Sequence, residues 1–99
     1  MARAFTTCDL SFGDAGKGTI VDALCRKHGI GMVVRYCGGS QAAHNVITPE
    51  GIHHTFATWG AGTLAGASTI LTKDVLVDPI RLYNEGVVLS KKGVDNPFR

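Results

Sequence analysis

The chain has 99 residues, of which 44% are hydrophobic and 18% charged, and a formal net charge of +2. That length holds one domain at most, and the composition is that of a globular chain with a small core, not a disordered one. The slight charge, without basic runs or RNA-type aromatic motifs, argues against nucleic acid as a partner. No run approaches membrane-spanning length, and Met1-Ala2-Arg3 opens no apolar signal segment, so a cytoplasmic protein with no membrane partner is expected. The three cysteines, Cys8, Cys25 and Cys37, lack metal-type spacing and sit beside apolar residues, which predicts reduced, partly buried thiols.

Ala4 to Cys8 is short, apolar and threonine-containing, which suits a strand ended by Asp9. A glycine loop follows, Leu10 to Gly18, with Gly13, Gly16 and Gly18 around one carboxylate, Asp14, and one lysine, Lys17. From Lys17 to His28 the apolar residues Ile20, Val21, Leu24 and Cys25, with His28, recur at helical spacing on one face. Asp22, Arg26 and Lys27 fall off that face, and Gly29 suits the residue just past the helix end. His28 is expected as half-buried packing. Met32 to Tyr36 is a second strand, which makes a βαβ unit with parallel strands.

Ligands in such sheets bind beyond the carboxyl ends of the strands. The glycine loop lies at one such end, and the loop Cys37 to Asn45 at the next, which puts His44 in range of Asp14. Val46 to Thr48 and Ile52 to Phe56 flank Pro49-Glu50-Gly51 as a hairpin, with His53 and His54 decorating it. Ala57 to Gly66 is small and loop-like. Ser68 to Thr72 is another apolar, β-branched strand, and Val75-Leu76-Val77 continues the apolar character. Asp78-Pro79 starts a second helix, with Ile80, Tyr83 and Val87 on its apolar face and Gly86 weakening its end.

Glycines let backbone N–H groups approach closely, a helix N-terminus favours anions, and a lysine adds a full charge. The glycine loop is therefore a candidate phosphate cradle. As a pattern it departs at both ends from G-x-x-x-x-G-K-[ST], and a plain strand-to-helix turn remains open on the pattern alone. Asp14 among phosphate donors has three readings: a Mg²⁺ ligand, a base for an acidic substrate proton, or a helix cap. His44 sits among Gly38, Gly39, Ala42 and Ala43, which leave room for a ligand, and an imidazole titrates near neutrality.

Two segments carry a family resemblance. Phe12-Gly13-Asp14-Ala15-Gly16-Lys17-Gly18 resembles the W-G-D-E-G-K-G signature of adenylosuccinate synthetase, and Ile20-Val21-Asp22 the I-V-D that follows it. Val33 to His44 resembles V-V-R-Y-Q-G-G-N-N-A-G-H, in the family's order and at similar separation. The resemblance implies a GTP-dependent ligase of purine synthesis that joins IMP and L-aspartate and releases GDP and phosphate. By position, Asp14 takes the role of catalytic base at purine N1 and His44 that of catalytic acid. It implies GTP contacts at Gly13, Asp14, Ala15, Gly16, Lys17, Gly18, Thr19, Ala43, His44 and Asn45. It implies IMP contacts at Asp14, Ala15, Gly16, Lys17, Gln41, Ala42, Ala43 and His44. Mg²⁺ would be held by Asp14 and the Ala43 carbonyl, and a homodimer would complete the IMP site with a neighbour's arginine.

The sequence departs from the family at Asp9, Ala15, Thr19, Gln41, Ala43 and Asn45, while Asp14, Lys17 and His44 are kept. The expected fold is α/β: a P-loop-like parallel sheet with flanking helices and a small hairpin. Residues 1–99 are read as an incomplete N-terminal portion of a larger GTP- and IMP-phosphate-binding domain, inactive alone, with the aspartate and guanine sites outside it. Two alternatives stay open: a nucleotide- or phosphate-binding module without turnover, and a relative acting on another purine monophosphate.

Overall fold

The structure, a computed structural model, describes residues 3–8, 10, 16–36, 38, 43–95 and 97–98. Helix α1 spans Lys17–His28, strand β1 Met32–Arg35, β2 His44–Ile47, β3 His53–Phe56 and β4 Ser68–Leu71. A 3₁₀ turn occupies Thr63–Ala65, and helix α2 spans Pro79–Lys91. The fold is mixed α/β, with a parallel pair and an antiparallel hairpin as its two small sheets.

Local chemistry sets most of the boundaries. Gly29 ends α1 in the left-handed region, at φ 62°, and its N–H donates to the Cys25 carbonyl. Arg26, Lys27 and His28 occupy the last turn, where cations oppose the helix dipole. Asp78 caps α2 by accepting from the N–H groups of Ile80 (3.0 Å) and Arg81 (3.2 Å), and Pro79 follows at the first helical position. The hairpin turns at Pro49-Glu50-Gly51, closed by Thr48 N–H to the Ile52 carbonyl at 2.8 Å. Its strands pair His44 with Phe56 through Ile47 with His53.

The parallel pair differs from the expected one. β1 pairs with β4, in register from Met32 opposite Ser68 to Arg35 opposite Leu71. Residues 3–8, expected as the first strand of a βαβ unit, run as irregular chain. A strand exists through its ladder partner, and the partner that β1 has in its sheet is β4. Phe5 instead stacks on His28, with ring centroids 4.7 Å apart, which bears out His28 as a half-buried packing residue.

In α1 Val21, Leu24, Cys25 and His28 are buried or half-buried as expected, with exceptions at Ile20 and Asp22, whereas α2 turns differently from its apolar pattern. In α1 the buried positions are Gly18, Asp22 and Cys25, while Ile20 is exposed. Asp22 is thus on the packed face, where it accepts a hydrogen bond from Arg26 Nε at 2.9 Å. In α2 the buried residues are Gly86 and Leu89, whereas Ile80 is 73% and Tyr83 62% exposed. Tyr83 stacks instead on Phe98 (centroids 5.6 Å), which lies over Gly86. Among the cysteines, Cys25 is buried and Cys8 exposed, so Cys8 departs from the expected partial burial; Cys37 lies outside the described residues.

The core joins the hairpin to α2: Val46, Phe56, Trp59, Ala61 and Leu89 form it, with Val21, Leu64, Leu82 and Val94 packed around. The segment expected as a small-residue loop passes through this centre, with Thr58 to Thr63 all buried. Small residues are what such a path requires. A Cβ at Gly62 would come within 2.5 Å of Cys25 Sγ and 2.9 Å of Val33 Cγ2.

Candidate phosphate-binding site

The site begins where α1 begins. Gly16 precedes the helix with φ 82°, a conformation that suits glycine, and the Ile20 N–H closes the first turn on its carbonyl at 3.1 Å. The first turn carries no acidic side chain, so its positive dipole end is not offset from within the helix. Lys17 opens the helix and is half-buried.

The second motif meets the first at Gly18. A Cβ there would fall 2.8 Å from His44 Cβ, 3.2 Å from His44 Cα and 3.3 Å from the Asn45 carbonyl oxygen. The strand start is therefore pressed directly on the first turn of α1. The Thr19 hydroxyl points the same way, 3.3 Å from the Asn45 carbonyl. His44 is the first residue of β2, not a loop residue, and the ladder fixes its backbone against Phe56. Ala43 is exposed immediately ahead of it.

Lys17 and His44 line one cavity of about 380 Å³ with Cys8, Arg35, Tyr36, Gly38 and Ala61. Two candidate groups, a cation and an imidazole, thus share one wall with a helix start. That combination suits an anion with several oxygens. Asn45 is committed elsewhere through its side chain: its Oδ1 accepts from Thr55 Oγ1 at 2.6 Å and lies 3.3 Å from His53 Nε2. Gly13, Asp14, Ala15, Gln41 and Ala42 lie outside the described residues. Among the described residues no group of three or more His, Cys, Asp or Glu gathers as a metal cage. One carboxylate with one backbone carbonyl is instead a donor set that Mg²⁺ takes when phosphates and water supply the rest.

Three polar residues matter that lie outside the candidate set read from the sequence. Arg35 is buried on β1, and its Nη1 donates to the carbonyls of Ala57 (2.7 Å) and Thr58 (2.8 Å). Glu85 accepts from the N–H groups of the same two residues, at 3.1 and 2.8 Å. His54, expected to decorate the hairpin, is 5% exposed, with Nε2 at 3.2 Å from Glu85 Oε1. The pattern held a signal for His54: it stands two residues before the apolar Phe56, on the same strand face. His53, one residue earlier and on the opposite strand face, is exposed as expected.

Fold and site together define an α/β chain with a glycine-led helix start that carries a lysine and packs against a histidine. The family model described as adenylosuccinate synthetase matches residues 8–99, and the chain belongs to that family. It is similar to the adenylosuccinate synthetase of Thermoplasma acidophilum, 37% identical over 82 residues, which covers 83% of this chain and 18% of the relative. It is 38% identical over 85 residues to that of Mycobacterium leprae, covering 85% of this chain and 19% of the relative. The enzyme of Borrelia duttonii gives 37% over 83 residues, 84% of this chain and 19% of the relative. The chain thus spans about a fifth of the length of the curated relatives it matches. Among the described residues no helix is long and apolar enough to cross a membrane.

Proposed function

We propose that this chain supplies the phosphate-handling portion of a GTP-dependent ligase that joins IMP and L-aspartate into adenylosuccinate, releasing GDP and phosphate. The observation that carries the reading is the close packing of Gly18 on His44, which joins the two family motifs at one cavity with Lys17. In the proposed reaction Asp14 takes the proton from purine N1, and the resulting 6-oxyanion attacks the γ-phosphate of GTP. His44 donates a hydrogen bond to the transferring group, and the amine of aspartate then displaces the 6-phosphate. The first turn of α1 and Lys17 hold phosphate oxygens, so the chain's part is positioning and electrostatics.

Asp14 and the Ala43 carbonyl would hold Mg²⁺, which when bound neutralises phosphate charge. Gly13, Ala15, Gly16, Gly18, Thr19 and Asn45 complete the proposed GTP contacts, and Gln41 and Ala42 those to IMP. The proposed setting is cytoplasmic, and the proposed assembly a homodimer.

Isothermal titration of the chain with GTP in Mg²⁺, and then with IMP, tests the reading. Saturable binding of both, weakened by Lys17→Ala and His44→Ala, is the expected result. A calorimetrically silent chain overturns it.

A further inference from the structure

Away from the candidate site, three titratable side chains stand in line between the hairpin and α2. Lys92 Nζ lies 3.0 Å from His54 Nδ1 and donates to the His53 carbonyl at 2.7 Å. His54 Nε2 lies 3.2 Å from Glu85 Oε1. We propose that Lys92, His54 and Glu85 form a proton-sensitive latch that holds the Ala57–Thr58 turn, and through it Arg35, at the wall of the site cavity. The latch stands independently of which ligand the cavity takes.

The geometry assigns the protons. An ammonium group has three donors and no acceptor, so the ring nitrogen it meets must offer a lone pair. Nδ1 is therefore bare, and the ring N–H sits on Nε2, aimed at Glu85. His54 is sealed in this position: its ring edge packs on Phe56 with centroids 4.5 Å apart, and Val46 stands opposite on β2. The charged groups facing it among the described residues are Glu85 from α2 and Lys92 just past the end of α2. Glu85 Oε1 is shared between His54 and the Ala57 N–H, and Oε2 takes the Thr58 N–H. The carbonyls of those two residues are the acceptors of Arg35, which lines the cavity beside His44.

A proton arriving at Nδ1 changes each link. It replaces the lone pair with an N–H aimed at the ammonium, donor against donor and cation against cation, so Lys92 leaves the ring. At the other nitrogen the imidazolium makes a charge-assisted bond to Glu85 Oε1. That bond competes with Ala57 for the same oxygen, and the turn that holds Arg35 loosens. No covalent step is involved; the proton comes from solvent and returns to it.

The test uses the 99-residue chain, labelled with ¹⁵N and followed by NMR from about pH 8 to about pH 5, the range in which imidazoles ordinarily change charge. Backbone-linked correlations assign each histidine ring without recourse to variants. The expected result is a neutral Nε2–H tautomer for His54 at the upper end. As it protonates, the amides of Ala57 and Thr58 and the Arg35 side-chain N–H signals shift along the same curve. In Glu85→Gln, which removes the carboxylate that carries the change to the turn, the Ala57, Thr58 and Arg35 shifts fall to less than half. An Nδ1–H tautomer, a ring still neutral at the lower end, or Ala57, Thr58 and Arg35 signals flat through its titration overturns the proposal. So does an unchanged response in Glu85→Gln. If that variant fails to fold, the wild-type curves alone decide.

Discussion

Arg35 and Glu85 hold the same two peptide units from opposite sides: Arg35 takes the carbonyls of Ala57 and Thr58, and Glu85 takes their N–H groups. One residue comes from β1 and the other from α2, so the shared turn ties the parallel pair to the second helix. Removing either leaves buried backbone groups without partners. Glu85→Ala is expected to cost about 3 kcal/mol and Glu85→Gln about half of that, because an amide keeps one acceptor oxygen. Urea unfolding followed by the fluorescence of Trp59, the one tryptophan in the chain, measures both. Arg35→Met combined with Glu85→Ala should cost less than the sum of the two single losses, since both act on one turn.

Gly18→Ala is expected to destabilise the chain and weaken phosphate binding together. The new Cβ would meet His44 Cβ and Cα, which belong to a paired strand and have little freedom to yield. Overpacking of that kind costs about 1–3 kcal/mol. The gain in helix propensity, about 1 kcal/mol in a helix interior and less in a first turn, offsets only part of it. Thermal unfolding reads the first effect. A GTP titration should show a loss of about tenfold, equivalent to ~1.4 kcal/mol. Normal affinity in a destabilised variant would separate the packing from the site.

What was legible in the sequence was what depends on neighbours along the chain. Gly29 ends α1, Asp78-Pro79 starts α2, and Pro49-Glu50-Gly51 turns the hairpin because each effect acts within a few residues. What was not legible depends on distant partners. Residues 3–8 have strand composition, but β4 is the ladder partner of β1. Asp22 and Ile20 exchange places because α1 turns its Gly18 side to β2, and only glycine lets the strand come so close. In the candidate site, Lys17 and His44, singled out from the two motifs, line one cavity. Arg35 and Glu85 were missed because the backbone groups they satisfy lie in a segment that looked like a surface loop.

Asp78→Ala is expected to cost about 1 kcal/mol through loss of the α2 cap, which satisfies two N–H groups. The contact of Asp78 with Arg81 (3.6 Å) joins two well-exposed side chains and adds little. Asp78→Asn, which keeps the acceptor, should therefore recover most of the loss. Denaturant midpoints of the two variants decide between capping and charge: equal losses would point to the ion pair.

Cys25 gives the chain an alkaline limit. Burial, reinforced by the nearby Asp22 carboxylate and partly opposed by Arg26, pushes its thiol above the ordinary value. In the unfolded chain a thiol ionises near ~8.5. The folded state therefore keeps a proton that the unfolded state gives up. The stabilisation is complete below the unfolded value and is lost as pH rises toward the folded one. Stability should fall as pH rises above about 8.5, and Cys25→Ala should flatten that part of the slope. The same burial predicts selective chemistry: a thiol reagent should modify the exposed Cys8 in the folded chain and reach Cys25 only on unfolding. Peptide mapping after brief alkylation, with and without urea, checks this directly, and equal labelling of the two in the folded chain would contradict the packing of Cys25 on Gly62.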